Sequence, residues 1–204
     1  MAIEWKKNDL PTLAQKVADD ASETCQNFIY AGIDVELSGG TQHFSLMPND
    51  QTNIDSMFAA ITLGASEYPY HPDGGKCVMY SAADIITLYS EYKSFVTKQT
   101  TYCNALRQWA KRETDPNVIG SIYYGCTLPE DLEKEVEGIL SAAQAQIVAI
   151  INKLSASGGP KWQGTLYVKL PSSLCSEDLH TSDSRCFSED IAIGRCSPSA
   201  DSFF

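Results

Sequence analysis

Between residues 81 and 112 the apolar side chains keep a seven-residue rhythm that a β-strand cannot use. Ile85, Tyr92, Gln99 and Leu106 form one series, and Leu88/Tyr89, Phe95/Val96, Tyr102/Cys103 and Trp109/Ala110 fill the intervening position. Side chains three and four apart share one helical face, so the spacing predicts close to four heptads of helix, on the order of 50 Å long at ~1.5 Å per residue. Ser81-Ala82-Ala83-Asp84 places an acid three residues after a capping hydroxyl. Thr97, Thr100 and Thr101 weaken the middle by β-branching, and a kink is expected there. A second stripe follows in Val136, Leu140, Ala143, Ile147, Ile150 and Leu154. Thr127-Leu128-Pro129-Glu130 reads as its capping box, and acids at 130, 131, 133, 135 and 137 complement the positive end of the helix dipole. Asp115-Pro116-Asn117 stops the first helix, and the stretch to Gly125 reads as loop with a short extended piece. Two such helices form either an antiparallel hairpin within the chain or a seam between subunits, and the pattern fits both.

The remainder of the chain changes period. Leu13, Val17, Ala21, Cys25 and Phe28 predict an N-terminal helix from about Leu10, with Asn8 or Asp9 as its cap. Ile33-Asp34-Val35-Glu36-Leu37 and Thr41-Gln42-His43-Phe44-Ser45-Leu46 alternate strictly around Ser38-Gly39-Gly40, which predicts a β-hairpin. Pro48-Asn49-Asp50 opens a shorter helix that buries Ile54, Met57, Phe58 and Ile61 and stops at Gly64. A second hairpin turns at Pro72-Asp73-Gly74-Gly75. From Ser155 the composition shifts to a Ser- and Gly-rich linker, one candidate strand over 164–170 and a Ser/Asp-rich tail with few aliphatics. The expected fold is α+β: two β-hairpins forming a small antiparallel sheet packed on helices, with two long heptad-patterned helices and an extended C-terminal arm. The divisions are an N-terminal helix (1–30), an α+β domain that includes the first long helix (31–114), a loop and second long helix (115–154), and the linker and arm (155–204).

Charge narrows the partners. The chain has 204 residues, is 43% hydrophobic and 20% charged, and carries a net charge of −11. The first two values suit a packed core; the third disfavours nucleic acid and anionic membrane surfaces and favours solubility or a basic protein partner. No apolar run reaches the ~18–20 residues that span a bilayer. The charged start Met-Ala-Ile-Glu-Trp-Lys-Lys has no apolar stretch after it, so the expectation is synthesis in the cytoplasm without a signal peptide. Seven cysteines, at 25, 77, 103, 126, 175, 186 and 196, lack metal-finger spacing. They read as reduced thiols serving as small apolar residues, against the alternatives of a redox role or a disulfide formed after release from the cell.

His43, His71 and His180 have no convergent ligand set, and no nucleophile elbow, phosphate-binding loop or metalloprotease motif occurs. Neither cofactor nor metal is expected, and no enzyme. Tyr68, Tyr70 and Tyr80 cluster around the second hairpin. They suit hairpin packing, or, if exposed, an interface or a sugar-stacking platform.

Three segments carry a resemblance: Phe44-Ser45-Leu46-Met47-Pro48-Asn49-Asp50-Gln51-Thr52-Asn53-Ile54; Tyr70-His71-Pro72-Asp73-Gly74 with Tyr80-Ser81-Ala82-Ala83-Asp84; and Thr101-Tyr102-Cys103-Asn104-Ala105-Leu106-Arg107-Gln108-Trp109. In order and spacing these resemble a domain family of unknown activity found in bacteriophage tail and tail-fibre-associated proteins. The likeness covers about residues 30–112, with Leu128-Pro129-Glu130 as an extension. Physically, Asp50 and Gln51 are placed to cap the second helix, Asn104 and Gln108 to bond each other or bridge the long helix to a hairpin edge, and Arg107 to reach a carboxylate across the sheet. The resemblance implies tail association and supplies no activity. The expected role is a structural component of the virion, in the baseplate, tail tip or fibre attachment, made in the host cytoplasm. It contacts other tail proteins and forms a symmetric homo-oligomer, with the heptad stripes, above all the 136–154 stripe, or the C-terminal arm making the subunit contacts. The alternatives are a cytoplasmic tail-fibre assembly chaperone and a carbohydrate- or receptor-binding tail module.

Overall fold

A computed structural model describes residues 10–156. In order they form α1 (Leu10–Tyr30), β1 (Ile33–Leu37), β2 (Gly40–Phe44), α2 (Pro48–Thr62), β3 (Glu67–Tyr70), β4 (Val78–Ser81), α3 (Ala82–Arg112), α4 (Pro116–Ser121) and α5 (Glu130–Ala156). The fold is α+β, as expected. The strand expected over 164–170, the rest of the arm, the Asn8/Asp9 cap and Cys175, His180, Cys186 and Cys196 lie outside the described residues.

The 31-residue α3 is the element on which α1, α2, α5 and β1, β3 and β4 pack. Its heptad series Ile85, Tyr92, Gln99 and Leu106 is buried throughout. It runs unbroken through Thr97–Thr101, where Thr100 Oγ1 turns back onto the Val96 carbonyl at 2.8 Å, so the weak propensity is overridden by packing on several sides. Its start is the capping box read from the sequence: Ser81 Oγ accepts from the Asp84 N–H at 3.2 Å. Asp84 does more. Its carboxylate accepts from Ser81 Oγ (2.8 Å), Ser38 Oγ (2.8 Å) and the Ser38 N–H (2.9 Å). The turn of the first hairpin is thereby tied to the first turn of α3.

Each hairpin pairs antiparallel, Ile33 opposite Phe44 in one and Glu67 opposite Ser81 in the other. They do not merge. The expected single sheet is two separate two-stranded sheets. The turn of the second hairpin, not a strand edge, meets β2: the Asp73 N–H donates to the His43 carbonyl at 2.9 Å. Pro69 in β3 removes one ladder donor. Side chains supply the junction instead. Phe44 stacks on Tyr70 (centroids 6.2 Å, planes 8° apart) and meets Tyr80 edge-on at 6.1 Å, while Tyr80 donates to Gln42 Oε1.

The face of α1 turns from the expected one. Ala14, Ala18, Ala21, Cys25 and Ile29 are buried, while Leu13 and Val17 flank the seam and Phe28 stands half exposed with its ring 6.2 Å from Phe95 and from Tyr124. Small side chains occupy the line of contact because they let α1 and α3 approach closely. The loop expected after α3 holds a short helix: Asp115 Oδ1 accepts from the Asn117 N–H at 2.8 Å and Pro116 fills the first position, so a motif read only as a stop is also a start. α5 begins at Glu130, after Pro129 takes the Glu133 N–H, rather than on a Thr127 cap.

Two backbone demands follow. Gly32 (φ +88°) ends α1 with its N–H on the Ile29 carbonyl, and a Cβ there would lie 2.2 Å from the Phe44 carbonyl oxygen. Gly64 (φ +105°) has open space around it. Gly32→Ala is expected to lower unfolding free energy in urea by more than about 2 kcal/mol, against about 1 kcal/mol for Gly64→Ala. Equal losses would show that contact with Phe44 imposes nothing. Asp84→Ala should lose about 2 kcal/mol, because it removes three part-buried hydrogen bonds to a charged carboxylate at once. That loss should shrink in acid. The hydrogen bonds hold the Asp84 carboxyl below its usual range, so its contribution is present above pH ~3.9 and disappears as pH falls through the folded value.

Candidate functional site

The stripe on α5 faces α3 within the same chain. Ser94 Oγ donates to Gln144 Oε1 at 3.0 Å, and Arg112 pairs with both oxygens of Asp131 near the other end, which makes α3 and α5 antiparallel. Ile147 is buried, and Val136, Leu140, Ala143 and Leu154 are partly buried. Ile150 departs from the expected stripe: it is 41% exposed, and Ile151 is buried in its place. A straight α-helix drifts ~20° per heptad from a strict 3.5 repeat, which rotates the contact line from position 150 to 151. Leu132, buried one turn before Val136, was hidden by the acids around it; stepping back four residues from Val136 finds it.

The drift leaves an uncovered flank. Ile139 is 45% exposed and, like Ile150, lies beside the buried stripe. The two are eleven residues apart, about three turns, so they sit on one line along α5 roughly 16 Å apart. Ala143 and Ile147 border that line.

The tyrosine cluster divides. Tyr70 and Tyr80 are 8% and 6% exposed, closed over Phe44, and burial pushes the Tyr70 hydroxyl up to about 12. These two are junction residues and offer no open ring face to a ligand, because the hairpins need them to meet. Tyr68 alone of the three is exposed.

The motif residues Asp50 and Gln51 do not cap α2. Asp50 accepts from Ser45 Oγ at 2.6 Å, and Gln51 Nε2 donates to the Leu46 carbonyl at 2.8 Å, fastening the end of the first hairpin to the helix start. Asn104, Arg107 and Gln108 are exposed on α3, and their side chains make no hydrogen bond or ion pair with one another or with other described residues. Of the three resembling segments, the first two meet at Phe44, Tyr70 and Tyr80; the third occupies the far half of α3.

One cluster of charged and titratable groups surrounds His43. Its Nδ1 lies 2.8 Å from Asp34 Oδ1, its Nε2 lies 2.9 Å from the Ala31 carbonyl, and Asp73 Oδ2 stands 3.8 Å from Nε2. A carboxylate and a carbonyl can only accept, so making both bonds together requires both ring nitrogens to donate, which is the imidazolium form. The bond to Asp34 chiefly raises its pKa above 6.5, against slight desolvation, with Ala31 and the charges of Asp34 and Asp73 adding to it. Fully engaged, the ring has no free nitrogen to act as a base. It clamps β1, β2, the end of α1 and the second turn. His71 is exposed in that turn. Among the described residues no group of three or more His, Cys, Asp or Glu converges to hold a metal ion, and no helix is long and apolar enough to cross a membrane. A shallow depression of about 620 Å³ is lined by Pro11, Thr12, Gln15, Lys16, Asp19 and Asp20, successive turns of α1 alone.

The His43 clamp gives a pH dependence of definite sign. Its contribution is complete below the unfolded histidine value of ~6.5 and is lost as pH rises through the folded value above it. Urea midpoints of the wild type should therefore fall across that window relative to those of His43→Gln. Parallel curves for the two proteins would remove the clamp from the account.

No family model matches the chain, and neither a curated protein nor a solved structure matches it.

Proposed function

We propose that this chain is a structural component of a phage tail that works through protein–protein contacts, with the Ile139–Ile150 line of α5 as its contact surface. The observation that carries the contact role is that line. The solvated face of a seam helix ordinarily holds charged and polar side chains, whereas here two isoleucines beside a buried stripe stay over 40% exposed. Aligned apolar side chains left open next to a core favour burial against another protein surface. The tail assignment rests on the three resembling segments, whose first two form the hairpin junction. Self-association into a symmetric oligomer accommodates the same line, since an isologous contact uses one patch twice.

Light scattering and sedimentation of the full chain test the contact. Ile139→Ser and Ile150→Ser should each weaken self-association roughly tenfold or more, while leaving the unfolding midpoint of the dilute protein nearly unchanged. Wild-type protein that stays monomeric at high concentration would remove the homo-oligomer. Quantitative mass spectrometry of purified phage particles tests the tail role: a building block appears at a fixed ratio to a known tail protein. Absence from the particles, with co-purification of a fibre protein from infected cells, would replace this reading with the assembly chaperone.

A further inference from the structure

Two of the thiols stand opposite each other across the α1–α3 seam. Cys25 Sγ donates to the Gln99 carbonyl at 3.5 Å, and Cys103 Sγ donates to the Ala21 carbonyl at 3.6 Å. Gln99 precedes Cys103 by one helical turn, and Ala21 precedes Cys25 by one turn. In a helix the carbonyl of residue i receives the N–H of residue i+4, so each sulfur lies against the backbone bond that closes on the other cysteine. This reciprocity puts both residues at one level of the seam. The seam is narrow there: α1 presents Ala14, Ala18, Ala21 and Cys25, and α3 presents Gln99, Cys103, Leu106 and Ala110, all buried and both series spaced four, three, four. Close helix backbones with facing Cβ atoms are what a disulfide requires, with Cα atoms ~4.4–6.8 Å apart.

We propose that Cys25 and Cys103 form a disulfide that locks α1 onto α3 when the protein meets an oxidising environment. The oxidant is a small-molecule disulfide. One of the two cysteines, as thiolate, attacks it, forming a mixed disulfide and releasing one small thiol; the other then attacks the protein sulfur and releases the second. The two protein thiols are oxidised, the small disulfide is reduced to two thiols, and the protons of the protein thiols end on the leaving thiolates. Burial, followed by the neighbouring Cys103, raises the Cys25 thiol to about 11, so Cys25 persists as a thiol near neutral pH and reacts slowly. Cys77, exposed, and Cys126, half-buried, are also free thiols. They lack this reciprocal seat and serve as internal controls. The inference is independent of the tail reading.

The test uses the reduced full-length chain, incubated natively with oxidised glutathione, alkylated and digested without reductant. The expected product is a Cys25–Cys103 linked peptide, lighter than the sum of its parts by two hydrogen atoms and separated by dithiothreitol. Because the bridge closes a long loop, the melting temperature should rise by roughly 10 °C over the reduced form. Cys25→Ser should abolish both results, and should that variant not fold, the peptide map of the wild type decides alone. Maps in which Cys25 and Cys103 both remain alkylatable after prolonged oxidation, or each joins a different cysteine, overturn the proposal. A cross-linked form that melts no higher than the reduced one overturns the lock.

Discussion

A helix covered along several faces has a fixed place only if its start is fixed, since a shift of one residue would present a different face to every neighbour at once. In α3 that start is held by Asp84. The carboxylate sits in the first turn, where the helix dipole favours negative charge, and it accepts from Ser81 of the cap and from both the hydroxyl and the N–H of Ser38. Burial alone would push its pKa up; the bonds from Ser38 and Ser81 reverse that. The first hairpin is thus set against α3, and Gly32 sets the end of α1 against the same hairpin, its backbone pressed on Phe44. α1 then runs back antiparallel along α3, and the chain closes on itself through one carboxylate and one residue without a side chain.

The two long seams of α3 are unequal. Toward α5 they bury Ile147 and Ile151, each contributing about 2–3 kcal/mol of apolar transfer. Toward α1 they bury mostly alanines, at about 0.8 kcal/mol per methyl-sized group. Two aromatic contacts, Phe28 with Phe95 and with Tyr124, add about 1 kcal/mol each at one end. Narrow seams of small residues bring backbones together and gain less from solvent exclusion per residue.

Much of this fold was legible wherever a local pattern and its tertiary partner demanded the same thing. The buried face of α2, the Ser81–Asp84 cap and the Ile85–Leu106 series needed only period and capping chemistry. Failures came where a neighbour chose between two locally equal options. Leu13 and Val17 are the more apolar face of α1, yet Ala14 and Ala18 are buried because α3 approaches too closely for larger side chains. Ile150 and Ile151 are alike in sequence, and accumulated helical drift decides between them. Asp115-Pro116-Asn117 signals an end and a beginning equally; only the chain beyond decides, and it returns as α4. The hairpins each announced themselves, but whether two hairpins share a ladder depends on which edges meet, and Phe44, Tyr70 and Tyr80 made a side-chain junction instead. The candidate contact line was the least legible element, because exposure is a property of what a neighbour fails to cover.

Electrostatics restricts how that line can be used. The first two turns of α5 carry Glu130, Asp131, Glu133, Glu135 and Glu137, answered locally only by Arg112 and Lys134 among the ion pairs of the described residues. Two α5 helices pairing in parallel would set these carboxylates side by side, and like charges at that spacing oppose association. Antiparallel pairing separates the acidic turns by most of a 27-residue helix, about 40 Å and several Debye lengths at physiological salt. It also lays each acidic turn beside the other helix's last turn, which contains Lys153. Ile139 and Ile150 lie near-symmetrically about the helix midpoint, so an antiparallel two-fold brings Ile139 of one copy against Ile150 of the other. If α5 pairs with a second copy, charge and apolar geometry therefore favour the same arrangement; a partner of a different kind would complement the line best by being basic near Glu130 and apolar farther along.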